Sequence, residues 1–267
     1  MPKPKVLILR TAGTNCDAET DAAFQLAGAE TALIHIQHLI SEKVDLTDYQ
    51  ILAIPGGFSY GDDISAGILL AVEMKHKLTD ALNQFVADGK LILGICNGFQ
   101  VLVRTGLLPG INISDSSGPE MTQRTTLAMN TSAKFECRWV NLEKEESTCV
   151  FTEGIKDHIY LPVAHAEGRF TAPSDVLTEL ESNKQIVFRY AKSQYPHNPN
   201  GSDADIAGIC DPTGRIFGLM PHPERFLMKW NHPRWTRRAA TERKSSEEGD
   251  GLAIFRNAVN YVKSHVK

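Results

Sequence analysis

The chain has 267 residues, of which 42% are hydrophobic and 22% are charged, and its formal net charge is −4. Such a composition is ordinary for a globular protein, and a chain of this length can bury a core without disulfide or metal support. The slight acidity excludes a strong basic field, and no apolar run is long enough to cross a bilayer, so neither nucleic acid nor a membrane is an expected partner.

The N-terminal half alternates short aliphatic segments with helical patterns. The predicted strands cover residues 5–10, 31–36, 49–54 and 90–95. The predicted helices cover residues 18–29, most of 64–88, and 97–106. We expect Thr14, Asn15 or Asp17 to cap the first helix. Strands that alternate with helices favour an open, mostly parallel α/β sheet with helices on both faces.

The pattern changes after Pro109, where β-branched and aromatic residues occur without a helical stripe. Further strands are predicted within 126–142, 158–165, 185–191 and, as two strands joined by a turn at 211–214, within 204–222. We interpret this half as an antiparallel extension of the same sheet, and because no linker separates the halves we predict one domain over 1–267. Residues 229–251 are charged and irregular, which is typical of a solvated insertion loop, and the chain ends in an amphipathic helix.

The chain contains five cysteines, and no C-x-x-C spacing occurs. An odd number without paired spacing argues against a disulfide framework and against a zinc ribbon, so no metal site is predicted. Free cysteines are typical of a reducing compartment, which makes the cytoplasm the expected location. Each cysteine is expected to be a small buried hydrophobe unless its neighbours indicate a chemical role.

One cysteine has such neighbours, in the segment Gly94-Ile95-Cys96-Asn97-Gly98 between a predicted strand and a predicted helix. The same layout in G-x-S-x-G hydrolases holds a nucleophile on a tight turn, with glycines that let neighbouring chain pass close. The helix dipole then favours the thiolate of Cys96, and the backbone N–H of Asn97 can donate to an oxyanion. The alternative is a buried cysteine that happens to end a strand, because short motifs also occur by chance.

A base and an orienting carboxylate are available in the segment MPHPER near the C-terminus. His222 and Glu224 are two residues apart, so in an extended segment their side chains point to the same side, and the two prolines keep the segment out of a helix. The alternative is a surface pair without a role. Because the segment also follows a predicted strand, it can reach the sheet edge where Cys96 is expected, and the three residues together predict a Cys–His–Glu triad.

The segment IPGGFSYGD at 54–62 also follows a predicted strand. Its two glycines after a proline let the backbone turn and expose N–H groups, and Gly57 is the candidate for a second oxyanion donor. The alternative is an ordinary glycine turn, which is the commoner meaning of Gly-Gly elsewhere.

A glycine-rich strand end, then G-x-C-x-G, then H-x-E, in this order, resemble the class I glutamine amidotransferases. Over nearly the whole chain, finer segments are similar to the glutaminase subunits of one synthetase of purine biosynthesis. The similar segments are TNCD (14–17), IPGGFSYGD (54–62), GICNGFQVL (94–102), GLLPG (106–110), AHAEGRF (164–170), IAGICDPTGRIFGLMPHPER (206–225) and IFRNAV (254–259). Two positions depart from the family pattern, since Ala12 stands where proline is usual and Ala166 where glycine is usual, and both leave the polar residues in place.

The resemblance implies the flavodoxin-like α/β fold of the class I glutamine amidotransferases. It implies that Cys96 attacks the side-chain amide of glutamine to form a γ-glutamyl thioester. His222 would transfer the protons, and Glu224 would orient His222. The N–H groups of Gly57 and Asn97 would form the oxyanion hole.

The resemblance also implies roles for several residues around this centre. Gly56, Phe58 and Gln100 are expected to bind the glutamine substrate. His165 and Glu167 form a second His-x-Glu and are expected near the site or at a docking face, with a satisfied pair at a β edge as the alternative.

The chain has no G-x-x-x-x-G-K-[ST] loop and no clustered carboxylates that would hold Mg-ATP, so no cofactor is expected on it. The family places ATP and Mg²⁺ on a large synthetase subunit, often joined by a small bridging subunit, and these are the expected partners. Three alternatives stay open: a class I glutaminase of another synthetase, a cysteine hydrolase of γ-glutamyl compounds on the same fold, and a catalytically silent binding module.

Overall fold

The computed structural model describes residues 2–110, 123–237 and 247–266, so residues 238–246 of the predicted insertion loop lie outside the described residues. Its strands are β1 (Lys5–Arg10), β2 (Glu30–His35), β3 (Ile51–Ile54), β4 (Leu91–Ile95), β5 (Thr126–Ala128), β6 (Glu136–Lys144), β7 (His158–His165), β8 (Arg169–Thr171), β9 (Ile186–Tyr190), β10 (Ile206–Cys210) and β11 (Ile216–Leu219). Its α-helices are α1 (Asp17–Leu26), α2 (Ile36–Ile40), α3 (Ile68–Lys77), α4 (Thr79–Ala87), α5 (Asn97–Thr105), α6 (Ser174–Ser182) and α7 (Leu252–His265).

The main sheet contains nine strands among the described residues, in the order β2-β1-β3-β4-β11-β10-β9-β6-β7. In this order the strands from β2 to β11 pair in parallel. The strands from β11 to β7 pair in antiparallel register. The prediction of a parallel sheet with an antiparallel extension is therefore confirmed, while the domain boundaries 1–267 stay a prediction.

Helices cover both faces of the parallel part. α1 contacts α7, whereas α3 contacts α5. The connection from β1 to β2 runs toward one edge of the sheet, and the connection from β3 to β4 runs toward the other. Because crossovers between parallel strands are right-handed, these two connections place their helices on opposite faces.

The core lies on both sides of the central strands. Every residue of β3, β4 and β11 is buried, which explains why their sequences are continuous apolar runs rather than alternating ones. Phe24 of α1 and Phe255 of α7 meet edge to face with ring centroids 5.0 Å apart. In the ranges that the structure describes, no helix is long and apolar enough to cross a membrane.

The start of α1 corrects one prediction. Cys16 occupies the N-cap position, and its side chain makes no capping hydrogen bond. The three expected capping residues are engaged elsewhere. Thr14 Oγ1 accepts from the N–H of Thr11 at 3.1 Å, Asn15 Oδ1 accepts from the Cys16 thiol at 3.2 Å, and Asp17 pairs with Arg10 at 2.6 Å.

One helical prediction also changes. The helical pattern within 64–88 divides into α3 and α4, because Leu78 between them has a non-helical φ of −126°. Helix α6 was not predicted, although Ser174 and Asp175 after a proline are a helix-start signal, and Val176 and Leu180 face the core.

Candidate active site

Three adjacent parallel strands bring the predicted catalytic segments to one edge of the sheet. β3, β4 and β11 are neighbours, and the residues that follow them include Gly56, Cys96 and His222 respectively. Because parallel strands share a carboxyl edge, these segments meet where open α/β sheets bind their ligands. Residues more than a hundred positions apart in sequence therefore converge on one site.

Cys96 forms the turn between β4 and α5 with φ 51° and ψ −102°, a conformation that residues with a side chain rarely adopt. The flanking glycines are required by close packing. A methyl group at Gly94 would lie 2.7 Å from the carbonyl of Gly98, and one at Gly98 would overlap the carbonyl oxygen of Ile54. Cys96 is 5% exposed, and its sulfur lies 3.6 Å from the carbonyl oxygen of Ala164. The thiol thus has the strained strand-to-helix geometry of a nucleophile elbow.

His222 and Glu224 form a buried pair, since they are 1% and 2% exposed. Nδ1 of His222 lies 2.6 Å from Oε1 of Glu224. Pro223–Arg225 is a turn of 3-10 helix, not the extended segment that the sequence predicted, and the turn still brings the carboxylate to the ring. Because an ionised carboxylate only accepts hydrogen bonds, Nδ1 carries the proton and Nε2 is left for a reacting group.

The charge state of His222 is set by opposing effects. Burial disfavours the imidazolium, but the Glu224 carboxylate and the Cys96 thiol outweigh burial, and the pKa of His222 lies well above its ordinary value. Nε2 has no hydrogen-bond partner among the described residues. The raised pKa therefore favours the imidazolium form of His222, which can give a proton from Nε2 to a reacting group.

In the part of the chain that the structure describes, neither predicted oxyanion donor uses its backbone N–H in a hydrogen bond. Gly57 forms an isolated antiparallel bridge with Thr14, and the hydrogen bonds of that bridge are made by the flanking residues. The N–H of Gly57 therefore points away from its partner. The N–H of Asn97 lies at the first position of α5, where no intrahelical acceptor exists. Their joint role in an oxyanion hole stays a prediction.

The side chain of Asn97 fixes the start of α5 to the loop after β3. Its Oδ1 accepts from the N–H of Ser59 at 3.3 Å, and its Nδ2 lies 3.2 Å from Asp62 Oδ1. Nδ2 also donates to Gln100 Oε1 at 3.0 Å, and Gln100 donates in turn to the carbonyl of Glu167 at 2.6 Å. Both polar groups of Gln100 are thus engaged within the protein, and contact of Gln100 with glutamine stays a prediction.

The other two residues expected to bind glutamine lie in different surroundings. Gly56 lies against the ring of His222, where a methyl group would be 2.8 Å from Cε1. Phe58 is 44% exposed, and its ring centroid is 6.4 Å from that of Phe135. Contact of Gly56 and Phe58 with glutamine stays a prediction.

The second His-x-Glu does not repeat the geometry of the first. Nδ1 of His165 lies 3.2 Å from Oδ1 of Asn130, whose amide nitrogen donates to two carbonyls, so the imidazole donates here. Burial, and then the charge of His222, lowers the pKa of His165 to about 3. Glu167 instead accepts from Ser65 Oγ at 2.9 Å. His165 therefore lies beside the site as a neutral ring, and Glu167 belongs to the loop network.

This depressed pKa predicts an acid-sensitive fold. An unfolded histidine takes up a proton below about pH 6.5, whereas folded His165 does not until about pH 3, so stability is lost as the pH falls through this window. Between pH 7 and 5 we expect wild type to lose about 2 kcal/mol more unfolding free energy than His165→Gln. Urea unfolding at the two pH values measures the difference, with exposed His158→Gln as control. Equal losses in wild type and His165→Gln would contradict the expectation.

The sequence analysis missed two residues at this edge, Cys16 and Arg225. Cys16 Sγ lies 3.9 Å from His222 Nδ1, and the guanidinium of Arg225 donates to Cys16 Sγ at 3.1 Å. A signal existed, since Cys16 follows the first predicted strand and Arg225 directly follows Glu224.

Comparison with known proteins agrees with this geometry. Residues 3–262 match the family described as the CobB/CobQ-like glutamine amidotransferase domain. The subunit PurQ of phosphoribosylformylglycinamidine synthase from Dehalococcoides mccartyi is 51% identical to this chain, over 98% of this chain and 99% of the relative. The subunit of the same name from Methanococcus maripaludis is 46% identical, over 97% of each chain.

A solved structure is similar as well. A chain in the structure of PurLQS from Thermotoga maritima has 32% sequence identity and a TM-score of 0.73, and the alignment covers 98% of this chain and 100% of that one.

Proposed function

The chain belongs to the CobB/CobQ-like glutamine amidotransferase family, and we propose that it is the glutaminase subunit of a phosphoribosylformylglycinamidine synthase. It hydrolyses glutamine to glutamate and ammonia. A separate ATP-dependent subunit uses the ammonia to convert formylglycinamide ribonucleotide to formylglycinamidine ribonucleotide in purine biosynthesis. The observation that carries the chemistry is the buried His222–Glu224 pair beside a cysteine held on a strained turn.

In the first half of the reaction, the Cys96 thiolate attacks the side-chain carbonyl carbon of glutamine. The carbonyl oxygen gains negative charge, and the N–H groups of Gly57 and Asn97 are the donors available to stabilise it. The imidazolium of His222 gives its Nε2 proton to the departing nitrogen, and ammonia leaves as the γ-glutamyl thioester forms.

In the second half, neutral His222 takes a proton from water, and the resulting hydroxide attacks the thioester carbon. Collapse of the tetrahedral intermediate releases glutamate and regenerates the Cys96 thiolate with protonated His222. Through both halves the Glu224 carboxylate holds the proton on Nδ1 and stabilises the imidazolium, as the orienting acid does in other triads.

The synthetase step needs ATP and Mg²⁺, which we assign to the large partner subunit together with a small bridging subunit. This division agrees with the similar structure from Thermotoga maritima, in which the matching chain is part of PurLQS. We place the reaction in the cytoplasm, where the five free cysteines are stable as thiols.

The alternatives have less support. Another class I glutaminase, or a γ-glutamyl hydrolase, would share the Cys–His–Glu geometry, but relatives at 46% and 51% identity, covered to 97% and 99% of their length, carry the purine enzyme's name. A silent binding module would have no reason to keep the strained Cys96 and the buried His222–Glu224 pair.

Reconstitution tests this function. The purified chain, mixed with the large and bridging subunits, is expected to give glutamine-dependent formation of formylglycinamidine ribonucleotide. Alone, the chain should release ammonia from glutamine only weakly, because Cys96 and His222 are almost completely buried and substrate entry requires an opening. Ammonia release is measured with and without the partners. Equal rates of ammonia release with and without the partners would contradict control by the partner subunits. The absence of glutamine-dependent product in the full complex would overturn the proposed function.

A further inference from the structure

Cys16 is a buried thiol in the active site that the reaction above does not use. It is 1% exposed. Both its backbone N–H and its carbonyl oxygen make hydrogen bonds. Its N–H donates to the carbonyl of Gly56 at 3.1 Å, and its carbonyl accepts from Thr20 Oγ1 at 2.7 Å. The sulfur is therefore held in place by the loop after β1 and by the first turn of α1.

The sulfur of Cys16 contacts groups from three segments. It accepts from Nη2 of Arg225 at 3.1 Å and donates to Oδ1 of Asn15 at 3.2 Å, so both of its hydrogen-bonding roles are filled. It also lies 3.9 Å from Nδ1 of His222. A methyl group at Gly56 would be 3.2 Å from the same sulfur and 2.8 Å from the ring of His222, so backbone and sulfur pack against the imidazole.

The Glu224 carboxylate is a second acceptor whose charge acts on Arg225. Arg225 is half-buried and directly follows Glu224, and the carboxylate of Glu224 favours the charged form of the guanidinium. Oε2 of Glu224 is buried and has no hydrogen-bond partner among the described residues. A guanidinium and a carboxylate form strong bidentate pairs, so Glu224 would attract Arg225 if the guanidinium were not held elsewhere.

We propose that Cys16 is a positioning residue that holds the Arg225 guanidinium away from Glu224. The Glu224 carboxylate then interacts with the His222 imidazole alone. The hydrogen bond from Arg225 to the sulfur anchors the cation, and the sulfur also limits movement of the imidazole. The proposal rests on the proposed glutaminase function, because its effect is on the catalytic pair.

A metal ion is a weaker interpretation of the same cluster. Ligand atoms of Cys16, His222 and Glu224 lie within 4.8 Å of one another, a spacing compatible with a bound cation. However, the guanidinium of Arg225 lies 3.1 Å from the sulfur and would repel a second positive charge. The neighbouring Arg225 therefore favours a Cys16 sulfur that accepts a hydrogen bond from the guanidinium over one that binds a metal ion.

The consequence is a specific pattern of mutational effects. In Cys16→Ala, Arg225 loses its acceptor and can pair with Glu224, which weakens the stabilisation of imidazolium at His222. We expect kcat for glutamine hydrolysis to fall about tenfold or more, with little change in KM, because one pKa unit at His222 corresponds to a factor of ten. Adding Arg225→Met to Cys16→Ala removes the competing cation, so we expect kcat to recover at least threefold.

Each variant is assayed in the reconstituted complex with glutamine and, separately, with ammonia. Ammonia-dependent synthesis reports folding and assembly, and Cys149→Ala is the matched control, since Cys149 is a buried thiol beside the turn that precedes β11, at the opposite edge of the sheet. No recovery in the double variant would overturn the proposal in favour of a packing role, and unchanged kcat in Cys16→Ala would overturn it outright. A wild-type complex without glutamine-dependent activity would instead contradict the proposed function.

A second readout does not depend on turnover. The rate at which iodoacetamide alkylates Cys96, followed by mass spectrometry of its peptide, reports the thiolate that His222 stabilises. The charged or titratable groups that act on His222 are Glu224, Cys96, Cys16 and His165. We expect alkylation at about pH 6 to be slower in Cys16→Ala than in wild type, and faster again in the double variant. Identical rates in the three proteins would contradict the proposal.

Discussion

Replacing Cys96 with alanine is expected to abolish glutamine-dependent synthesis by the assembled complex and to leave ammonia-dependent synthesis intact. Alanine removes the sulfur that forms the thioester in the proposed reaction, while the small side chain fits the strained turn that Cys96 already occupies. Loss of a covalent nucleophile costs roughly 10⁴-fold or more in kcat. Added ammonia bypasses this chain, so the synthetase step should continue.

The two activities are measured on one preparation of the complex, with Cys137→Ala, an exposed cysteine, as the control that should keep both. A glutamine-analogue electrophile should label wild type at Cys96 and leave Cys96→Ala unlabelled. Persistent glutamine-dependent activity in Cys96→Ala would show that the nucleophile has been misassigned. Loss of ammonia-dependent activity would instead indicate failed assembly.

The segments that were predictable from sequence are those whose structure is decided locally. The turn at Cys96 follows from a short buried strand, two glycines and a helix, all within a few residues, and the structure has each of them. The His222–Glu224 pair was predictable in its identity because the two residues are close in sequence. Its backbone was not, because Pro223 fits the first position of a 3-10 turn as well as an extended chain.

Contacts between distant segments were not predictable in the same way. Cys16 and Arg225 are 209 residues apart, and their meeting depends on how the loop after β1 folds over the edge of the sheet. The near-complete burial of Cys96 has the same origin, since the carbonyl of Ala164 that covers the sulfur comes from β7, at the far edge of the sheet order. A motif identifies the chemical groups, but it does not reveal which other segments cover them.

Replacing Glu224 with glutamine is expected to have the second-largest effect. The amide can donate to Nδ1 of His222, which moves the imidazole proton to Nε2 and leaves no base facing Cys96. It also removes the charge that holds the pKa of His222 well above its ordinary value against the cost of burial. An equivalent change in a serine protease triad costs about 10⁴ in kcat, and we expect a loss on the order of 10³–10⁴ here.

The residual activity of Glu224→Gln should show a shifted pH profile. With the imidazolium less stable, His222 loses its proton at lower pH, so the alkaline limb of kcat/KM should move to lower pH than in wild type. Glutamine-dependent rates are measured across the pH range in the complex, with Glu153→Gln, an exposed carboxylate, as control. A loss of kcat/KM that is equal at every pH would show that Glu224 only orients the ring. Full activity would show that Glu224 has no catalytic role.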